Sequence, residues 1–105
     1  MLPADAEDEW ATLIQGDEII VANFTATWCG PCKMLSPRLD AAVATAGDAV
    51  DLAIVDIDEN AGIADQYGVQ AVPTVIAMRG GEVVDKFVGL IDEDKLGAFV
   101  DKLKN

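Results

Sequence analysis

The 105-residue chain carries 19 acidic and 7 basic side chains, no histidine and two cysteines, for a net charge of −12. That length suits one compact domain, residues 1–105, and a composition of 51% hydrophobic and 25% charged residues suits a packed core. The missing histidine excludes a Ser-His-Asp triad, a Cys-His nucleophile pair and a histidine-bound metal, and the acidity argues against nucleic acid or an anionic membrane as partner.

In chain order, the N-terminus Met1–Asp5 has no basic segment followed by an apolar run, so no secretory signal is expected. Residues Asp5–Gln15 read as a short helix with Trp10, Leu13 and Ile14 on one side, ended by Gly16-Asp17. Ile19–Phe24 is an almost unbroken apolar run, the pattern of a strand covered on both faces, with Asn23 as the exception inside it. From Pro31 to about Ala46, apolar residues recur at helical spacing, and Pro31 suits a first-turn position. Pro37 is expected to kink that helix.

Leu52–Asp58 reads as a second buried strand, followed by a helix over Ala61–Tyr67. Val72–Arg79 and Glu82–Val88 form a hairpin pattern around Gly80-Gly81, because the tight turn needs positive φ. Asp92-Glu93-Asp94 starts a last helix, with Lys102 and Lys104 at its negative end. The order α β α β α β β α implies an α/β fold, with helices on both faces of a central mixed sheet. The acids are spread evenly: residues 1–52 have 9 acids and 2 bases, residues 53–105 have 10 and 5. An even spread reads as a solvated surface, with a high-salt habitat as the alternative.

The chemistry concentrates in Trp28-Cys29-Gly30-Pro31-Cys32-Lys33. A strand feeding Cys-x-x-Cys at the start of a helix places Cys29 among free backbone N–H groups and the positive end of the helix dipole, which favours a thiolate. Cys32, one turn further in, is placed to attack a mixed disulfide formed on Cys29. Half of a zinc site is the competing reading, but the chain holds no second pair of cysteines.

The chain resembles the thioredoxin family over nearly its whole length, and mitochondrial thioredoxins most of all. The resemblance rests on Trp28–Lys33, Pro37, Asp56-Ile57-Asp58-Glu59-Asn60, Tyr67-Gly68-Val69, Ala71-Val72-Pro73-Thr74 and Gly81–Gly89. It implies a thioredoxin fold in which Cys29 is the nucleophile, Cys32 the resolving thiol and the two form a reversible disulfide. It further implies that Pro73 is a cis-proline facing the pair and that the Val72 backbone pairs with a bound substrate strand. Trp28, Gly30, Pro31, Thr74 and Gly89 would line the docking surface.

Two departures stand out. Asn23 occupies the place where thioredoxins carry a buried aspartate, and Ile54 the place of its companion lysine. An amide cannot ionise, so slower resolution by Cys32 is expected. The usual first strand is reduced to Met1–Ala4, so a very short or absent edge strand is expected.

The resemblance implies a protein dithiol–disulfide oxidoreductase that reduces disulfide-containing client proteins and is recycled by a thioredoxin reductase. No cofactor, metal, nucleic acid or membrane is expected, and the expected state is a monomer. The expected compartment is the cytoplasm or, for a processed form, the mitochondrial matrix, and not the exterior. A reductant specialised for one client and a non-catalytic binding module of the same fold are the alternatives.

Overall fold

A computed structural model describes residues 1–104. The elements are α1 (Glu7–Leu13), β1 (Ile19–Thr25), α2 (Gly30–Thr45), a 3-10 turn (Gly47–Ala49), β2 (Val50–Asp56), α3 (Ala61–Gln66), β3 (Thr74–Arg79), β4 (Glu82–Val88) and α4 (Glu93–Leu103). The four strands form one sheet in the order β2-β1-β3-β4. β1 runs parallel to β2 and antiparallel to β3, and β3 runs antiparallel to β4. This is the mixed sheet that the helical crossovers and the glycine hairpin imply.

Strand alternation divides the core in two. Ile19 and Val21 of β1 point toward α2 and α4, where they meet Leu35, Leu39, Leu96 and Val100. Ile20, Ala22 and Phe24 point to the other face and meet Trp10 of α1 and Ile63 of α3. A central strand sandwiched this way is apolar at nearly every position, which explains the unbroken run in the sequence. On the second face Trp10, Phe24 and Tyr67 form an aromatic cluster, and Trp10 Nε1 donates to Tyr67 Oη at 3.1 Å.

The edges obey different rules. β4 has one covered neighbour and alternates in exposure. Gly80 and Gly81 adopt φ of 58° and 82°, the conformation a two-residue hairpin turn requires, and the β3–β4 register shifts between Ala77 and Met78, which face Asp85 and Val83. No N-terminal strand precedes α1 among the described residues. A single Leu2 N–H to Ile54 O bond of 2.9 Å is what remains of the edge pairing there.

The N-terminal segment is instead tied down by Asn60, which is fully buried. Its Oδ1 accepts the Ala6 N–H at 2.8 Å, and its Nδ2 donates to Pro3 O at 3.0 Å. Ala6 occupies the N-cap of α1 and has no capping side chain, so Asn60 supplies the acceptor from 54 residues away.

Several boundaries differ from the sequence expectation. α1 is shorter at both ends, and β2 begins at Val50 and ends at Asp56. Asp56 ends the ladder because its carboxylate turns inward and accepts the N–H groups of Asp58 (2.8 Å) and Glu59 (3.3 Å). α2 continues through Pro37 as one element of 16 residues. β3 starts at Thr74 and not at Val72, since Pro73 has no N–H to give the ladder.

Candidate functional site

The site forms where β1 leaves the sheet. After Thr25 the chain turns, with Cys29 N–H donating to Ala26 O at 3.2 Å, and α2 begins at Gly30 with Pro31 in its first turn. Cys29 is the N-cap residue, with extended backbone angles (φ −91°, ψ 109°). Its Sγ takes the role that serine or aspartate oxygens fill at other helix starts, accepting the Cys32 N–H at 3.2 Å. Cys29 and Cys32 form a disulfide with a Cα–Cα separation of 5.3 Å. The cysteines are 4% and 2% exposed and pack with Ala26, Ile57 and Val72.

The remaining residues suggested by the sequence gather around this sulfur pair. The Val72–Pro73 bond is cis, and the Val72 carbonyl oxygen lies 3.6 Å from Cys29 Sγ. Thr74 is buried between its ladder partners Phe24 and Val88, and its hydroxyl donates to Ala71 O at 2.6 Å. Gly89, at φ 92°, donates its N–H to Pro73 O at 2.8 Å and so fastens the proline loop to the end of β4. Gly30 and Pro31 are exposed at the helix start, and Trp28 stands 66% exposed beside the disulfide.

Asn23 lies beneath, on the α2 face of the sheet, and is 1% exposed. Its Nδ2 donates to Ser36 Oγ at 3.1 Å, while its Oδ1 has no partner among the described residues. Across the β1–β2 ladder it is paired with Ile54, so an aliphatic side chain stands beside the amide where a cation could have stood.

Two residues of the site escape sequence reasoning. Asp58 accepts the Trp28 indole N–H at 2.9 Å and so orients the exposed ring, and Ser36 holds Asn23. Asp58 is 30 residues from its partner, and no local pattern announces the pairing. Ser36 offers one clue, its position four residues after Cys32 on the same helix face.

Chemically, the helix N-terminus and the Cys32 N–H make a sulfur at position 29 a good place for negative charge. A Cys29 thiolate and a Cys32 thiol in this geometry can interconvert with the disulfide seen here.

The comparisons with known proteins agree with that geometry. The family model for thioredoxin matches residues 2–102. Mitochondrial thioredoxin of Bos taurus is 50% identical over 99 residues, covering 94% of this chain, and thioredoxin of Bacillus subtilis is 36% identical over 97 residues, covering 92% of this chain and 93% of its own length. The chain spans 60% of the length of the mammalian mitochondrial relatives it matches. The crystal structure of Malassezia sympodialis thioredoxin superposes with a TM-score of 0.89 at 35% identity, covering 100% of this chain and 96% of that one. With its sheet order, its helix-capping cysteine and these relatives in agreement, the chain belongs to the thioredoxin family.

Proposed function

We propose that this chain reduces disulfide bonds in client proteins by dithiol–disulfide exchange, cycling between a Cys29/Cys32 dithiol and the disulfide. The Cys29 thiolate attacks one sulfur of the client disulfide, a Cys29–client bond forms and the other client sulfur leaves as a thiolate. Cys32 then loses its proton and attacks Cys29 Sγ. The Cys29–client bond breaks, the Cys29–Cys32 bond forms, and the client has gained two electrons. The observation that carries this reading is the Cys29–Cys32 disulfide at the start of α2, with Cys29 Sγ accepting the Cys32 N–H.

The docking surface in this reading is Trp28, Gly30, Pro31, Val72, Pro73, Thr74 and Gly89. An extended client segment pairs with the Val72 backbone, which brings its sulfur to Cys29. The electrons come from a thioredoxin reductase, and the chain acts as a single-domain monomer. Both the cytoplasm and the mitochondrial matrix are reducing enough to keep such a dithiol reduced. The mitochondrial names of the bovine and rodent relatives support the matrix reading.

The test is dithiothreitol-driven reduction of a model protein disulfide by the natural chain and by Cys29→Ser. Acceleration by the natural chain and its loss in the variant is the expected result. Absence of acceleration from a folded natural chain would reject general reductase activity. One observation favours a narrower second reading, a reductant specialised for one client: the buried amide of Asn23, paired with Ile54, puts no ionisable group at that ladder position of β1 and β2.

A further inference from the structure

Asn23 is held by its nitrogen alone, and Ser36 Oγ is the atom that holds it. By accepting from Asn23 Nδ2, Ser36 Oγ uses a lone pair and keeps its own proton to give. Among the described residues no protein group accepts that proton. Ser36 also follows Cys32 by four positions within α2. Residues at this spacing sit one above the other, with Cβ atoms about 5–6 Å apart, and helical side chains lean toward the N-terminus. The Ser36 side chain therefore leans over the turn that carries Cys32. Ser36 is half-buried whereas Cys32 and Asn23 are buried, so the hydroxyl connects a dry pocket to its rim.

We propose that Ser36 is a positioning residue for the resolving step: its hydroxyl, oriented by Asn23 Nδ2, donates a hydrogen bond to Cys32 Sγ and favours the thiolate that attacks Cys29. A donor that already accepts a hydrogen bond is polarised, which strengthens the bond it gives. Ser36 keeps its proton throughout, and the proton of the Cys32 thiol leaves to water. The sulfur–sulfur exchange is otherwise as written above.

The other groups around Cys32 do not supply this donor. At the N-cap of α2 stands Cys29, and on the helix are the exposed Lys33 and Arg38, which pairs with Glu93 of α4 at 3.9 Å. From the last residue of β2 comes Asp56, whose Oδ1 is occupied by backbone N–H groups, and from the connection to α3 comes Asp58, whose Oδ2 is bound to Trp28. β1 presents the neutral Asn23, and the segment Val72–Thr74 carries nothing ionisable.

The experiment follows the cysteine Cβ resonances of the fully reduced, 13C-labelled chain from about pH 6 to about pH 11, a range that brackets the ordinary thiol. In Ser36→Ala the Cys32 midpoint is expected to rise by about one unit, with Cys29 shifting much less. Ser36→Thr, which keeps the hydroxyl, should titrate like the natural chain. Ser36→Asp, which sets a carboxylate in the same place, should raise the Cys32 midpoint at least as far as Ser36→Ala. It also keeps the test available if the alanine variant does not fold. A Cys32 midpoint unchanged in Ser36→Ala, or in Ser36→Asp if only that variant folds, would overturn the proposal and leave the hydroxyl serving the helix around Pro37. The inference rests on Cys32 being the resolving thiol, but the titration needs no client. A failure of protein-disulfide reduction would therefore be seen separately from a failure of the Ser36 contact.

Discussion

Asn23 and Ile54 are direct partners in the parallel ladder of β1 and β2, so their side chains share the sheet face that α2 covers. At this ladder position both strands are therefore uncharged. A carboxylate placed there has a hydrogen-bonding neighbour in Ser36 but no counter-ion.

Asn23→Asp should consequently lose stability as pH rises. Burial without a cation raises the folded-state pKa of the introduced carboxyl, so the folded chain binds its proton more tightly than the unfolded chain. The stability is fully present below the unfolded pKa and declines as pH rises through the folded one. Between about pH 5 and pH 8 the loss should reach roughly 1–3 kcal/mol relative to the natural chain, read by urea unfolding at both pH values. Adding Ile54→Lys should recover much of it. The pH–rate profile of client reduction should also change in Asn23→Asp, and an unchanged profile would mean that this position does not govern resolution.

A surface pair supplies a second pH effect. The Glu18 carboxyl titrates above its usual range, first because it shares a hydrogen bond with Asp51 and then because the two carboxylates repel. A raised folded-state pKa means that stability present in acid is lost as pH rises through it. Asp51→Asn should bring the Glu18 midpoint down toward the ordinary carboxylate value and flatten the acid-to-neutral decline in urea midpoint. Salt should weaken the contrast, since both groups are exposed.

Much of this architecture is legible in the sequence. The apolar run Ile19–Phe24, the Gly80-Gly81 turn and the Cys29–Cys32 spacing are local patterns whose causes lie within a few residues. Boundaries set by side chains reaching across the fold are not. The end of β2 depends on Asp56 turning back onto Asp58 and Glu59, and the start of α1 depends on Asn60. α2 passes through Pro37 because tertiary packing of Leu35, Leu39 and Val43 holds the helix on both sides of the lost N–H. Asp58 and Ser36 join the site through tertiary bonds to Trp28 and Asn23, which no periodicity encodes.

Asn60→Ala tests the N-terminal tether. It removes the acceptor of the Ala6 N–H and the donor to Pro3 O, leaving a buried amide of α1 without a partner. A loss of about 2–4 kcal/mol is expected, with faster amide exchange at Ala6 as the local signature. Client reduction should fall little, because the tether lies on the α1/α3 side of the sheet, away from the sulfurs.

Gly97→Ala should act in the opposite direction. Gly97 is inside α4, a methyl group there meets nothing within 4 Å, and its φ is not in the left-handed region. Alanine should stabilise the chain by about 0.5–1 kcal/mol through helix propensity, seen as a higher urea midpoint with unchanged slope.

The Cys29 sulfur, finally, is at once a redox atom and the cap of its own helix. The dipole that greets negative charge on it is fixed by α2, which Leu35, Leu39 and Val43 pack into the core. Charge can then arise and vanish on the sulfur with little turning of neighbouring groups, so the solvent reorganisation that slows ionic chemistry in water has been met in advance by folding. If the chain reduces client disulfides as proposed, the helix end that receives the charge is already built, and the choice of client falls to the docking surface.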